Sequence, residues 1–174
     1  MATTMTLITS YEVTTSGQTI IDLTSIPGTY NNLSIKFSSR QTTAGGEDTP
    51  FIRFNNDSAS NYNFVFGASY SPGTFQSGTT TTSFWIGTVP GAGDTANSFG
   101  NLEVFIPNYS SSTFKKTLHS ESVVGGTAAN QYRRVFGGYW NSTAAINRIQ
   151  LGILSGGYQF AIGTTVYVYG IKNS

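Results

Sequence analysis

The chain of 174 residues contains no cysteine and only one histidine, His119. Without cysteine it forms no disulfide bond and offers no thiolate to a metal ion. A single imidazole also falls short of the histidine sets that hold zinc in proteins. Neither a phosphate-binding loop nor a dinucleotide fingerprint is present in the sequence. We therefore expect no zinc site and no cofactor.

Charged residues are also scarce, at 10% of the chain, and the net charge is +1. Globular proteins usually carry about 25% charged residues. Aromatic residues make up 14%, which is unlike the composition of disordered chains. We predict a folded protein whose surface of hydroxyl and amide groups is easily desolvated on contact with other proteins or with sugars. Because the few basic residues are spread along the chain, no direct contact with nucleic acid is expected.

Long apolar runs are missing as well. No stretch approaches the roughly 20 residues that cross a bilayer as a helix. The first ten residues, MATTMTLITS, lack the charged start and apolar run of a signal peptide. We expect a protein that is made in a cytoplasm and has no membrane partner.

What the sequence does contain is repeated alternation of apolar and polar residues. The alternation is clearest at 33–38, 102–106, 148–153 and 166–171. This period of two is typical of strands that turn one face toward a core and the other toward solvent or a partner. Helical periodicity is almost absent, so the sequence indicates an all-β protein.

Clusters of Gly, Pro, Asn and Ser separate the apolar runs at the spacing expected of a sandwich or barrel. We predict a two-sheet antiparallel β-sandwich, jelly-roll-like, that forms a single domain over residues 1–174. An immunoglobulin-like sandwich is the second architecture, although it normally needs fewer strands. The predicted strands are 5–13, 19–24, 31–39, 50–55, 61–70, 80–89, 99–107, 113–124, 131–140, 145–154, 157–161 and 164–172.

Three segments carry additional predictions. The strand-like residues 1–13 either join the chain's own sheet or form an arm or swapped strand that reaches a neighbouring copy. Residues 71–82 are predicted to form a Gly/Ser/Thr-rich loop, and residues 87–100 a long exposed loop.

The acidic residues and the histidine form no recognisable catalytic pattern. His119 and Glu121 would share one face of a strand, but no Gly-x-Ser-x-Gly elbow accompanies them. Glu47, Asp48 and Asp57 are the candidate oxygen ligands for calcium, but they do not follow an Asp-x-Asp loop pattern. We therefore predict no catalytic residue and no metal ligand, and hence a protein that is not an enzyme.

Three aromatic side chains are the candidate contact residues: Trp85, Tyr139 and Trp140. Phe84 and Ile86 are predicted to face the core, which would turn Trp85 to the opposite side of its strand. Such rings pack into a core or a subunit interface, or they stack on a sugar. The sequence leaves these alternatives open.

Several turn-and-strand motifs occur together in an order that resembles the β-rich virion proteins of tailed bacteriophages, especially those of marine and freshwater hosts. The resemblance covers about two thirds of the chain and leaves the middle, about 70–130, unmatched. Its motifs are SIPGTY at 25–30 before LSIKFSSR at 33–40, IRFNNDS at 52–58 before NY at 61–62, AINRIQL at 145–151, FAIGT at 160–164 and VYGI at 168–171.

The resemblance implies a non-enzymatic structural protein of the virion. Its leading form is a head decoration (cement) protein that stabilises the capsid through contacts with the major capsid protein or other virion proteins. The alternatives are a tail-fibre, tail-tip or host-adsorption component that binds surface glycans, or a carbohydrate-binding module. A homotrimer is the oligomer expected for the virion forms.

Overall fold

The computed structural model describes residues 4–69, 75–125 and 131–172, which fold into two antiparallel β-sheets. The predicted two-sheet β-sandwich is therefore confirmed. Within the described residues there is no helix, and so none that could span a membrane. The strands are β1 (Thr4–Glu12), β2 (Ile20–Leu23), β3 (Asn32–Ser39), β4 (Pro50–Phe54), β5 (Tyr62–Ala68), β6 (Phe75–Thr81), β7 (Phe84–Trp85), β8 (Gly100–Ile106), β9 (Lys116–Gly125), β10 (Gln131–Trp140), β11 (Ile149–Ile153) and β12 (Thr165–Lys172).

The two sheets differ in width. The larger has eight strands in the order β1-β12-β3-β8-β9-β10-β5-β6, and the smaller has four in the order β2-β11-β4-β7. The first strand, β1, pairs with β12 of the same chain along Thr4–Glu12. Because four strands cannot cover eight, the outermost strands of the large sheet extend beyond the second layer. The side chains of residues 4–7 and 75–77 are accordingly exposed on both faces of their strands.

Alternating apolar residues create the core between the sheets. In β3, Leu33, Ile35 and Phe37 are buried while the residues between them are partly exposed. Ile149 and Leu151 of β11 face them from the smaller sheet and are fully buried. This is the arrangement expected of an antiparallel sheet with one covered face, and it leaves the alternate residues of the large sheet on an uncovered surface.

Four local predictions are wrong. Most of the predicted loop at 71–82 is strand β6, because Thr-rich residues with no face to bury give no apolar alternation to read. The predicted strand at 80–89 shrinks to the end of β6 and the two residues of β7. No strand forms at 157–161, where Phe160 makes an isolated bridge to Gln41. The first residues of the predicted exposed loop, 87–91, are buried.

A buried lysine holds two loops together at the start of β9. Lys116 is fully buried, and its Nζ donates to the backbone oxygens of Ser111 at 2.7 Å, Phe114 at 2.6 Å and Thr143 at 3.0 Å. Burial lowers the pKa of this amine. Its three donors are thus matched by three carbonyl acceptors, as a buried ammonium group requires.

Two loops approach closely at residues 41–48 and 89–93, where backbone hydrogen bonds join them. A Cβ atom on Gly91 would lie 2.1 Å from the carbonyl oxygen of Gly45 and 2.3 Å from that of Gly46. The absence of a side chain at Gly91 is therefore what permits this contact.

Candidate functional site

The candidate site is the surface of the eight-stranded sheet that the smaller sheet does not cover, here called the outer face. It consists of the alternate residues of the strands whose other residues fill the core. Its principal side chains are Ser34 and Lys36 on β3, Asn101, Glu103 and Phe105 on β8, His119, Glu121 and Val123 on β9, Arg133, Val135 and Tyr139 on β10, and Tyr167 and Tyr169 on β12.

Two ion pairs lie at the centre of the outer face. Glu103 and Glu121 stand directly opposite each other on neighbouring strands. Like charges in this position repel, and each carboxylate has a cation: Lys36 pairs with Glu103, and Arg133 Nε donates to Glu121 Oε1 at 2.6 Å. The hydrogen bond from Arg133 lowers the pKa of Glu121. The centre of the face therefore carries four charges that sum to zero.

Two shallow depressions adjoin this pair of carboxylates. One, of about 280 Å³, is lined by Asn101, Glu103, Glu121 and Val123. The other, of about 260 Å³, adds the rings of Phe105 and His119, whose centroids are 5.7 Å apart. Amide and carboxylate groups beside aromatic rings offer hydrogen bonds and a stacking surface to a polar ligand.

A third depression, of about 230 Å³, lies beside Tyr139 and is mostly apolar. Tyr139 is 38% exposed, and Lys115 Nζ lies 5.8 Å from the centre of its ring. Next to it, Gly137 leaves a gap, since a Cβ there would meet no atom within 4 Å. Of the three predicted aromatic contact residues, Tyr139 is the one with a ring available to a ligand or a partner.

The other two aromatic candidates pack within the molecule. Trp140 is 2% exposed, and its Nε1 donates to Asp57 Oδ2 at 2.7 Å. The hypothesis that Trp140 contacts a glycan or a partner is therefore corrected, because strand β10 turns its ring into the core. Trp85 is half-buried, with its ring centroid 4.8 Å from that of Phe64, so that it covers the edge of the core.

Each of the acidic residues singled out in the sequence has its own partner. Glu47 lies 3.5 Å from Arg134 of β10, and Asp48 accepts a hydrogen bond from the next backbone amide. Burial alone would raise the pKa of Asp57, but hydrogen bonds from Asn61, Trp140 and a backbone amide lower it. Over the residues that the structure describes, no three His, Asp or Glu side chains are grouped so as to hold a metal ion.

His119 and Glu121 share the outer face, as the strand pattern predicted. The imidazole lies against Phe105, while the carboxylate is engaged by Arg133. Sequence reasoning missed Asn101, Glu103 and Phe105 as members of the site. The signal was present, because β8 alternates these residues with the buried ones.

Comparisons with protein-family models, with curated proteins and with solved structures find no match to this chain.

Proposed function

We propose that this chain is a non-enzymatic structural protein of a tailed-bacteriophage particle, acting as a head decoration protein that binds major capsid subunits. The turn-and-strand motifs, which resemble those of virion proteins of tailed bacteriophages, support a place in the virion. The β-sandwich supplies a rigid body with one broad uncovered sheet.

The observation that carries the proposal is the chemistry of the outer face. Val123, Val135 and Tyr167 on this face are exposed to 49%, 45% and 40%. Burying these apolar side chains against a partner is favourable, and apolar side chains that share one exposed face are a feature of protein–protein interfaces. The paired charges at the centre of the face leave no net charge to oppose such a contact.

The test is the amount of this protein in purified particles. Quantitative mass spectrometry should find it at a copy number comparable to that of the major capsid protein, and it should bind to heads from which tails have been removed. Val123→Glu with Val135→Glu should lower its occupancy roughly tenfold or more, because both charges would be buried in the contact. Ile162→Glu, which changes an exposed residue in the loop before β12, is the matched control. A copy number far below that of the capsid protein, or tail-bound protein only, contradicts the decoration function.

A second candidate function is glycan binding in host adsorption or in a carbohydrate-binding module. The observation that favours it is the set of depressions on the outer face, with Tyr139 at one and the Glu103–Glu121 pair at the others. Binding of the isolated protein to a glycan array should then be lost in Tyr139→Ala or Glu103→Gln and kept in Tyr167→Ala, which removes an exposed ring elsewhere on the same face. Array binding that all three variants keep would contradict a glycan site on this face.

A further inference from the structure

The two free edges of the large sheet run in opposite directions. All seven pairings between its eight strands are antiparallel. Because the number of strands is even, β6 at one edge is antiparallel to β1 at the other. A second copy placed beside the first in the same orientation therefore presents its β1 antiparallel to β6, and the sheet can continue from one copy into the next.

Within the described residues, the two edge strands lack most of the features that prevent such pairing, although each contains one irregularity in its register. Lysine, proline and inward-pointing charges protect most natural edge strands. β1 has one charged residue, Glu12 at its end, and β6 has none; neither strand contains proline. Each edge strand has a register shift, and each leaves a regular four-residue segment, 4–7 in β1 and 75–78 in β6.

These two segments are offset from each other by two residues across the sheet. Leu7 and Ser77 terminate one row of directly opposed residues that crosses all eight strands. The row consists of Leu7, Tyr169, Ser34, Phe105, His119, Gly137, Val65 and Ser77. A copy added with a stagger of two residues relative to this row brings its Leu7 opposite Phe75 and its Met5 opposite Ser77, so that residues 4–7 pair with residues 75–78 and the three apolar side chains share one face.

The apolar side chains at the edges complement one another across such a junction. Phe75 is 79% exposed, Met5 49% and Leu7 50%, and all three lie on the outer face. Side chains at diagonal positions of an antiparallel pair are within reach of an aromatic ring. Pairing of β1 with a second β1 about a two-fold axis would leave Phe75 uncovered, so the head-to-tail arrangement accounts for more of the exposed apolar surface.

We propose that copies of this chain associate head to tail, residues 4–7 of one copy pairing with residues 75–78 of the next to form a continuous sheet. Backbone hydrogen bonds supply the affinity, as in other β-strand additions, and repetition closes a ring when the rotation per copy permits it. The inference deepens the proposed structural function, since it names the surface through which copies assemble.

Two edge variants test the junction with the purified full chain. Met5→Lys with Leu7→Lys charges the β1 edge, and Phe75→Lys with Ser77→Lys charges the β6 edge; all four side chains are exposed. Sedimentation velocity should find the unsubstituted chain as a defined oligomer of three or more copies and each variant alone as a monomer. An equimolar mixture of the variants should form a one-to-one dimer, because one unsubstituted edge of each kind remains.

The control adds the same charge away from both edges. Val123→Lys with Phe114→Lys changes exposed residues in β9 and in the loop before it, and this variant should keep the oligomer of the unsubstituted chain. Thermal unfolding of every variant verifies that it folds.

A monomeric unsubstituted chain would overturn the inference. So would a β6-edge variant that still forms a dimer by itself, since only pairing of β1 with β1 would then remain. Particle binding by a chain that is monomeric in solution would refute this junction while leaving the proposed function standing. An oligomer that fails to bind particles would contradict the proposed function and leave this junction standing.

Discussion

The hydrogen bond between Trp140 and Asp57 allows a quantitative prediction about stability. Trp140 ends β10 in the core, where its ring stacks on Tyr62 with centroids 6.3 Å apart. Its indole N–H reaches back to the carboxylate of Asp57, in the turn after β4. The same carboxylate accepts hydrogen bonds from Asn61 Nδ2 and from the backbone amide of Ala59, both at 2.9 Å. One tryptophan thus fixes the turn that joins two strands of different sheets.

The perturbation is a double-mutant cycle with Trp140→Phe and Asp57→Ala. Each single substitution should lower the free energy of unfolding by about 2–4 kcal/mol, since each removes a charge-assisted hydrogen bond together with buried contacts or other hydrogen bonds. The contacts that only one residue makes cancel in the cycle. What remains is the bond itself, which should appear as a coupling energy of about 1–2 kcal/mol at neutral pH, because the carboxylate is partly solvated.

The pH dependence of the coupling has a definite sign. The hydrogen bonds hold the pKa of Asp57 below its usual value of about 3.9. A carboxyl group whose pKa is depressed by folding contributes stability that is fully present above the unfolded value. That contribution is lost as the pH falls through the folded pKa. The coupling should therefore be constant from pH 5 to pH 8 and decrease in more acid solution.

Urea denaturation followed by far-ultraviolet circular dichroism measures all four proteins without relying on tryptophan fluorescence. Asn61→Ala with Trp140→Phe is a useful comparison, because both side chains donate to Asp57 Oδ2 and should couple more weakly to each other than Trp140 does to Asp57. A coupling energy between Trp140 and Asp57 within about 0.3 kcal/mol of zero, the scatter of independent sites, would refute the argument.

Three further predictions concern other contacts and are checked by the same denaturation assay. Lys116→Met should destabilise the protein by about 3 kcal/mol, because it removes three hydrogen bonds from an ammonium group to backbone oxygens of two loops; an unchanged midpoint would mean that the loops do not depend on the amine. Gly91→Ala should cost about 2–3 kcal/mol through backbone overlap, whereas Gly46→Ala, with open space at its Cβ, should be neutral. Glu121→Ala and Arg133→Ala should show little or no coupling in high salt, since that pair is exposed and screened; strong coupling in 1 M salt would contradict this.

The fold class could be predicted because the central strands have one covered face. Leu33, Ile35 and Phe37 alternate in the sequence for the same reason that they alternate in burial. β6 could not be predicted in this way. Its residues 75–77 are exposed on both faces, so selection for a core leaves no period in FQSGTTT. Apolar alternation indicates that one face of a strand is buried, and it does not indicate strand formation by itself. A strand that extends beyond the second sheet has no buried face and therefore shows no alternation.

The candidate site was predictable in part for a related reason. The sequence predicts that His119 and Glu121 share one face of a strand and names Tyr139 as a candidate contact residue, and the structure places all three on the outer face. It could not show that Glu103 stands opposite Glu121, because the register between β8 and β9 depends on loops of irregular length. The burial of Trp140 could not be predicted from β10, because Gly137 and Gly138 have no side chain and interrupt the apolar alternation of the strand.

The scarcity of charged residues is related to the unequal widths of the two sheets. Strands that extend beyond the second layer gain nothing from apolar burial, and threonine maintains their β conformation without a core to pack against. Charged residues would serve equally well on such exposed strands and would also protect the edges from pairing. β1 and β6 use threonine, serine and glycine instead, which keeps the strands ordered and leaves their outer backbone groups open. A composition that avoids charge at both edges of one sheet is what a chain needs if that sheet is to continue into its neighbour.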